Sequence, residues 1–299
     1  MKKDLVYILG SESRWSDNEI RYSLRSAEKF FDFGRVFVVG EIPEWMTGVV
    51  HLPVRDPFSN KLKNARSKYL AACAERSLSA EFVLMNDDFF FLERTDEIPA
   101  YSRGTLAGMI ERHPTQKGYY FDAMRATRHR LDGMGVDPVL DFEVHAPMVF
   151  DKARLASIAG MVGEEKPYLL RTCYGNLANL EREDMSRAAL NDFKAANLTE
   201  FVHQTSRTRP FLSINDALVA SVEFRTWIAR KFPKPSRFEL DAGRGASAEP
   251  GMPQRALRYH ATTPFTYGRR SFSSGDVIDA DTMKGIKTNA KMRRLWILK

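Results

Sequence analysis

Apolar and polar residues alternate over the first 90 positions in a pattern that predicts strands separated by helices. Residues 4–9 and 35–39 are short runs rich in β-branched and aromatic side chains, and each is followed by or ends near a glycine. Residues 81–85 form another apolar run that is too short for a helix. Between these runs, residues 17–31 and 60–77 carry apolar positions at helical spacing. Such alternation predicts an α/β fold with a doubly wound sheet.

The pattern continues less regularly downstream. Residues 118–121 are a further strand-like run, and residues 142–150 are an apolar passage around His145. Residues 152–230 are predicted to be mainly helical, with 168–174 as a buried interruption. We therefore expect helical additions to the central sheet.

Composition changes near residue 241. Residues 242–253 are rich in Gly, Ala, Pro and Ser, which is typical of a linker. Beyond them, residues 266–274 and 276–278 are predicted to pair as a small hairpin. We divide the chain into a first domain over 1–240, a linker over 241–256 and a small basic C-terminal module over 257–299.

The basic charge of the chain belongs to its tail. The net charge is +7, and residues 241–299 contain eleven Lys and Arg against five Asp and Glu, which leaves +1 for the rest. Basic residues interleaved with aromatic ones can bind nucleic acid. However, the tail also contains Asp276, Asp279 and Asp281, and a solvated small module explains the charge equally well. Both interpretations stay open.

Length and composition indicate an enzyme-sized globular protein. The 299 residues are 43% hydrophobic and 28% charged, enough to bury one large core. The two cysteines, Cys73 and Cys173, lie in no metal-binding or disulfide pattern. No apolar stretch reaches the length of a transmembrane helix and the first ten residues lack an export signal, so we expect a cytoplasmic protein, with peripheral membrane association left open.

Three polar residues, Asn86, Asp87 and Asp88, come directly after the apolar run 81–85. In doubly wound sheets, ligands bind beyond the carboxyl ends of the strands. Two carboxylates there suit a divalent cation that faces a diphosphate. The alternative is that Asn-Asp-Asp merely opens a turn.

Seven separated stretches along residues 4–240 form a recognisable series, and they are 4–7, 14–26, 42–45, 82–91, 143–148, 213–216 and 232–239. In this order they resemble the conserved regions of the Stealth family of capsule-type hexose-1-phosphate transferases, with a departure at residues 8–12. Motifs in the right order are more specific than any one of them. The resemblance implies a GT-A-like nucleotide-sugar transferase fold.

The resemblance also implies an activity. Stealth enzymes move a sugar-1-phosphate from a nucleotide-diphosphate sugar, here one similar to UDP-GlcNAc, to an acceptor hydroxyl such as that of a glycan, with Mg²⁺ or Mn²⁺. It suggests Asp87, Asp88 and Asp216 as metal ligands. It suggests His145 as the general base, because an imidazole can accept the hydroxyl proton near neutral pH. A structural histidine bonded to backbone is the alternative for His145.

Further residues are candidates for the donor site. Arg171 lies inside an apolar run and is a candidate catalytic cation, although an ion pair to a core carboxylate is nearly as good an explanation. The candidates for binding the nucleotide-sugar are Asp17, Asn18, Arg21, Arg25, Asn86 and Asn215. The four in the first helix share one face, so they are equally able to cap and brace that helix.

Three other functions remain open from the sequence. The first is a metal-dependent GT-A glycosyltransferase, which leaves the diphosphate on the nucleotide. The second is an enzyme whose basic tail binds nucleic acid as the acceptor. The third is a non-catalytic relative, against which the presence of Asp88 and His145 argues.

Overall fold

Strands and helices alternate through the first hundred residues. The computed structural model describes residues 2–10, 13–186 and 192–240, and the backbone of four short strands beyond them. The elements in this first part are β1 (Asp4–Leu9), α1 (Asn18–Phe30), β2 (Val36–Gly40), β3 (Val50–Leu52), α2 (Lys61–Ala74), β4 (Glu81–Met85), β5 (Phe89–Phe91) and β6 (Ala100–Ser102).

Helices dominate the following part, as the sequence predicts. Its elements are α3 (Leu106–Arg112), α4 (Tyr119–Asp132), β7 (Met148–Asp151), α5 (Lys152–Val162), α6 (Leu170–Leu177), β8 (Arg182–Asp184), β9 (Lys194–Ala195), α7 (Leu198–Thr205), β10 (Phe211–Ile214), α8 (Asp216–Val219) and α9 (Val222–Lys231). Among the described residues, no helix is long and apolar enough to cross a membrane.

A five-stranded mixed sheet in the order β3-β2-β1-β4-β7 forms the centre of this region. The strands β1 to β4 are parallel, with Tyr7 opposite both Val38 and Met85, and β7 closes the sheet antiparallel to β4. The chain builds outward from β1 to β3 and then returns to the other side of β1. The carboxyl ends of β1 and β4 therefore lie at the switch point, where such sheets bind ligands.

Both faces of the sheet are buried, which explains the nearly continuous apolar runs of its strands. Val6, Phe37 and Phe82 face one core, which contains residues of α2 to α6. Their neighbours Leu5 and Val83 face a second core, which contains residues of α1. The predicted α/β fold with a doubly wound mixed sheet and helical additions is confirmed.

A smaller sheet in the order β5-β10-β9 lies beside α1. The hydroxyl of Ser23 donates to the Phe89 carbonyl at 2.5 Å, and Ser26 Oγ accepts from the Phe91 amide at 3.0 Å. These bonds hold β5, and with it the turn after β4, against the first helix. A further parallel pair joins β6 to β8.

Two local predictions are wrong. The strand-like run 118–121 begins helix α4, because its aromatic residues precede Ala123, Met124 and Leu131, which are buried at helical spacing. The buried interruption 168–174 is largely helix α6. In both places, apolar residues in a short run do not distinguish a strand from a buried helix.

Residues 246–299 form a separate compact unit from residues 1–245. The described strands there are β11 (Tyr259–His260), β12 (Phe265–Tyr267), β13 (Arg270–Phe272) and β14 (Val277–Ile278). Strand β12 pairs with β13, and β11 pairs with β14, so the predicted pairing of 266–274 with 276–278 is wrong. The linker over 241–256 lies outside the described residues, and the proposed domain limits stay a prediction.

Candidate functional site

The paired carboxylates Asp87 and Asp88 lie at the switch point of the central sheet. They follow β4 directly and precede β5, so the chain turns there within three residues. The turn is closed by the Phe89 amide, which donates to the Asn86 carbonyl at 3.3 Å. From the small sheet, Ser213 Oγ donates to Asp88 Oδ2 at 2.8 Å. Asn86 therefore shapes the turn, and both carboxylates lie at the edge where sheets of this kind generally bind ligands.

The surroundings oppose full ionisation of this pair. Burial, the charge of Asp88 and the charge of Glu19 together raise the pKa of Asp87 to about 8. Burial also raises the pKa of Asp88, although His145, Ser213 and Lys194 partly offset it. Two neighbouring carboxylates of this kind are stabilised in their charged form by a nearby cation.

Glu19 is a third acidic group near Asp87. It lies in the first turn of α1, is buried, and accepts a hydrogen bond from Ser13 Oγ at 3.0 Å. Burial raises the pKa of Glu19, with the charges of Asp17 and Asp216 adding to the effect. The beginning of α1 therefore adds negative charge to this edge of the sheet.

His145 forms a carboxylate–imidazole pair with Asp192. The distance from His145 Nδ1 to Asp192 Oδ2 is 2.6 Å, and the His145 amide donates to Asp192 Oδ1 at 2.8 Å. Burial alone would raise the pKa of Asp192, but His145 and Arg103 lower it to about 2. Because that carboxylate is ionised and only accepts, Nδ1 of His145 carries the hydrogen.

The partners of Asp192 are themselves held in place. Arg103 Nη1 lies 3.1 Å from Asp192 Oδ2, and Arg103 Nη2 lies 2.9 Å from Asp141 Oδ2. Asp141 is fully buried. On the backbone side, Gln204 Nε2 donates to the Asp192 carbonyl at 2.8 Å.

Lys194 lies on the opposite side of the His145 ring. Its Nζ is 3.4 Å from His145 Nε2, and its charge lowers the pKa of Asp88. In the backbone ladder Lys194 is the partner of Ser213, which binds Asp88. The pairing of β9 with β10 thus brings an imidazole, a cation and a carboxylate together.

Arg171 supports the loop that carries His145. It is 8% exposed, and its Nη2 donates to the carbonyl of Ala146 at 2.7 Å. Its guanidinium lies 5.9 Å from the centre of the Phe89 ring, and its charge partly offsets the effect of burial on the pKa of Glu143. The structure therefore places Arg171 beside His145 and β5, where it braces the site.

Asp216 and Asn215 do not join the carboxylate pair as expected. Asp216 is exposed and lies 3.2 Å from Arg14 Nε, while Asn215 Oδ1 accepts from the Leu218 amide and caps α8. Among the described residues, no group of three or more His, Cys, Asp or Glu is arranged to hold a metal. The predicted set of Asp87, Asp88 and Asp216 is therefore not assembled, and the side chains of Asp216 and Asn215 are instead bonded to Arg14 and to the first turn of α8.

Arg21 and Arg25 are bound to an internal carboxylate. Arg21 Nη1 lies 2.8 Å and Arg25 Nη2 lies 2.7 Å from Oε2 of Glu239, which is buried. Asn18 Nδ2 donates to the Trp15 carbonyl at 2.7 Å, and the Asp17 amide donates to Ser13 Oγ at 2.7 Å. These contacts brace α1 and its entry turn, which is the structural alternative considered for the four residues.

The sequence offered no signal for Asp192 or Lys194. Neither lies in a stretch that resembles a known motif, and their position depends on a two-residue strand, β9. Ser213 is the first residue of the similar stretch 213–216, and Glu19 lies within the stretch 14–26. The stretches that carry the family resemblance therefore include Ser213 and Glu19, but not Asp192 or Lys194.

The residues present suit a divalent cation at Asp87 and Asp88. Both are hard oxygen donors, and among the described residues no Lys or Arg forms an ion pair with Asp87. Mg²⁺ is commonly held by one or two carboxylates together with substrate phosphates, so two protein ligands are sufficient. Burial raises the pKa of both carboxyl groups, so a bound cation would stabilise their charged forms.

Comparisons with known proteins give similarity to solved structures but no match to a known sequence. No protein-family model and no curated protein sequence matches the chain. Among solved structures, the chain is similar to the galactosyltransferase LgtC in complex with donor and acceptor sugar analogues. The TM-score is 0.44 at 10% identity, and the match covers 77% of this chain and 96% of that chain.

Proposed function

We propose that the protein is a metal-dependent nucleotide-sugar transferase that moves a sugar-1-phosphate to an acceptor hydroxyl. The observation that supports this is that two unlike groups lie close enough to interact electrostatically near the switch point. One is the carboxylate pair Asp87 and Asp88, and the other is His145, whose ring is held by Asp192. A nucleotide-diphosphate sugar needs charge neutralisation, and an acceptor hydroxyl needs a base.

The acidic side of the site would hold the donor's cation. Asp87 and Asp88 would bind Mg²⁺ or Mn²⁺, and the bound ion would neutralise negative charge on the donor's diphosphate. Ser213 keeps Asp88 in place through its 2.8 Å hydrogen bond.

The basic side of the site would activate the acceptor. The acceptor oxygen attacks the β-phosphorus, and its proton passes to Nε2 of His145. The new O–P bond forms while the bond from that phosphorus to the bridging oxygen breaks, and the electron pair leaves on the nucleoside monophosphate. Ionised Asp192 then stabilises the imidazolium at Nδ1.

The resemblance to the Stealth family favours transfer to phosphorus, with a donor similar to UDP-GlcNAc and a glycan acceptor. The alternative is a GT-A glycosyltransferase, in which the acceptor attacks the anomeric carbon and nucleoside diphosphate is released. The same base and the same cation serve both reactions. The released nucleotide therefore distinguishes them.

The test is to incubate the purified protein with MgCl₂ or MnCl₂ and a panel of nucleotide-sugars, with and without acceptor glycans. The released nucleotide is identified by mass spectrometry. Nucleoside monophosphate supports sugar-1-phosphate transfer, and nucleoside diphosphate supports the glycosyltransferase. Release of neither with any donor and acceptor would contradict the proposal.

Variants tie the reaction to this site. We expect His145→Ala and Asp88→Asn each to slow transfer about 100-fold or more. The matched controls are His129→Ala and Asp132→Asn, because both residues are exposed on α4 away from the site. Equal loss in a control would indicate a general effect on folding.

A further inference from the structure

The segment from Asp192 to Lys194 contacts the His145 ring on both of its nitrogens. Asp192 Oδ2 is 2.6 Å from Nδ1, and Lys194 Nζ is 3.4 Å from Nε2. The two side chains have opposite charges and lie two residues apart, with Lys194 in β9 and Asp192 just before that strand. A histidine with only a packing role does not require charged partners at both ring nitrogens.

We propose that Asp192 is a positioning residue that makes Nε2 the proton-accepting atom of His145, and that Lys194 contacts an oxyanion of the donor. This inference rests on the proposed function and deepens it, because it assigns both nitrogens of the base and adds a residue to the donor site.

The role of Asp192 follows from which atoms can donate a hydrogen bond between Asp192 and His145 Nδ1. An ionised carboxylate has no hydrogen to donate, so Nδ1 carries a hydrogen. In the tautomer with a single hydrogen on Nδ1, Nε2 carries the lone pair and accepts a hydrogen bond from the Lys194 ammonium. Arg103 prevents Asp192 from turning away, since it joins Asp192 to the fully buried Asp141.

The Lys194 part follows from its position. The ammonium occupies the place at Nε2 that an acceptor hydroxyl must take for its proton to be removed. The hydroxyl therefore displaces Lys194 from Nε2, and the ammonium needs a new anionic partner nearby. The phosphoryl oxygens of a donor bound at Asp88 meet that need, because Lys194 already interacts electrostatically with Asp88.

The first experiment measures the ring itself and needs no substrate. Protein labelled with ¹⁵N-histidine is studied by long-range ¹H–¹⁵N correlation, and His145→Gln identifies the His145 signals among the six histidines. We expect the Nδ1–H tautomer in the wild type. Asp192→Asn presents an amide that can donate to Nδ1, and we expect it to shift His145 to the Nε2–H tautomer.

Asp96→Asn is the matched control, because Asp96 is in an exposed ion pair with Arg94. An unchanged tautomer in Asp192→Asn, with the folded spectrum retained, would overturn the positioning role. If Asp192→Asn does not fold, Arg103→Lys weakens the same hold on Asp192, and a tautomer population equal to that of the wild type in that variant overturns the role too.

The second experiment measures donor binding by calorimetry with UDP-GlcNAc and MgCl₂. Lys194→Met keeps the length of the side chain and removes the charge, and we expect binding to weaken about 10-fold, with the His145 tautomer unchanged. Lys194→Arg should recover part of the affinity. Lys166→Met, at an exposed position, is the control. Wild-type affinity in Lys194→Met would overturn the contact.

The two proposals fail in different ways. The tautomer is measured without donor, so it stands or falls independently of any transfer. Transfer of neither sugar nor sugar phosphate by the wild type would contradict the proposed function alone. If the enzyme is active but the His145 tautomer is the same in the wild type and in Asp192→Asn, only the inference is contradicted.

Discussion

Glu239 provides the sharpest test of how α1 is held. Its Oε2 accepts from Arg21 Nη1 at 2.8 Å and from Arg25 Nη2 at 2.7 Å, while its Oε1 accepts from Arg25 Nε and from the Ser236 amide, both at 2.8 Å. These bonds join the first helix to the segment that follows α9. Glu239→Gln keeps the shape of the side chain and removes its charge.

The expected loss of stability is large because the arginines remain partly buried. Removing one partner of a buried ion pair costs about 3–5 kcal/mol. The two arginine side chains are 22% and 12% exposed, so water can reach them and we take about 3 kcal/mol, the low end of that range. For a unit of this size, that loss corresponds to a fall in Tm of about 6–12 °C.

Glu28→Gln is the matched control, since Glu28 lies on the same helix and pairs with Arg237 of the same segment at 3.3 Å. Arg237 is 61% exposed, and an exposed pair of this kind contributes less than about 1 kcal/mol. Both variants are compared with the wild type by calorimetry or circular dichroism. A Glu239→Gln variant that melts no earlier than Glu28→Gln would refute the structural role of the ion pair.

The pH dependence of the difference gives a second check. Burial alone would raise the pKa of Glu239, but the hydrogen bonds and charges of Arg25, Ser236 and Arg21 lower it below the ordinary value of 4.5. A lowered pKa contributes stability that is present above the unfolded value and is lost as pH falls through the folded value. The stability gap between wild type and Glu239→Gln should therefore narrow below about pH 4.5. A gap that stays constant with pH would contradict this assignment.

Three further predictions concern packing and the carboxylate pair. Gly175→Ala should destabilise the protein by about 1–3 kcal/mol in urea unfolding, because its new Cβ would overlap the Phe142 ring. Gly160→Ala is the control: a Cβ at Gly160 meets open space, so this variant should be more stable than the wild type by about 0.5–1 kcal/mol. Equal effects of the two variants would contradict the close packing of Gly175 against Phe142. Asp87→Asn should be more stable than the wild type at pH 8 in EDTA by about 0.5–2 kcal/mol. Burial and Asp88 raise the pKa of Asp87 to about 8, so ionisation of Asp87 lowers the stability of the wild type as pH rises toward that value. A less stable variant would argue against the raised pKa of Asp87. MgCl₂ at one hundred times its Kd should stabilise the wild type by about 2.7 kcal/mol, and a similar shift in Asp87→Asn would place the ion elsewhere.

Much of the central sheet could be predicted from local patterns. Strands β1, β2 and β4 and helices α1 and α2 lie within a few residues of their predicted limits. The position of Asp87 and Asp88 after β4 followed from the same patterns. The segment 118–121 was mistaken for a strand because its helical partners lie after it in the chain, where only packing reveals them.

The roles of individual polar residues were less predictable. From the sequence, Arg21 and Arg25 are equally suited to bind a nucleotide or a carboxylate. The fold decides between the two, because it places Glu239 beside both arginines. Asp216 lies beside Arg14, and Asn215 caps a helix, although both belong to the stretch 213–216 that carries part of the family resemblance. A charged side chain binds whichever partner the fold brings close, and the partner is often distant in sequence.

The sequence by itself determined that strands and helices alternate, that two carboxylates end a central strand, and that His145 lies in an apolar passage, because these features depend on neighbouring residues. Only the tertiary structure decided that Asp192 and Lys194 flank the His145 ring and that Ser213 binds Asp88. These contacts require β9 and β10 to pair with each other and to lie beside β5. Strand pairing joins residues that are far apart in the chain, and no local pattern specifies which of them will meet.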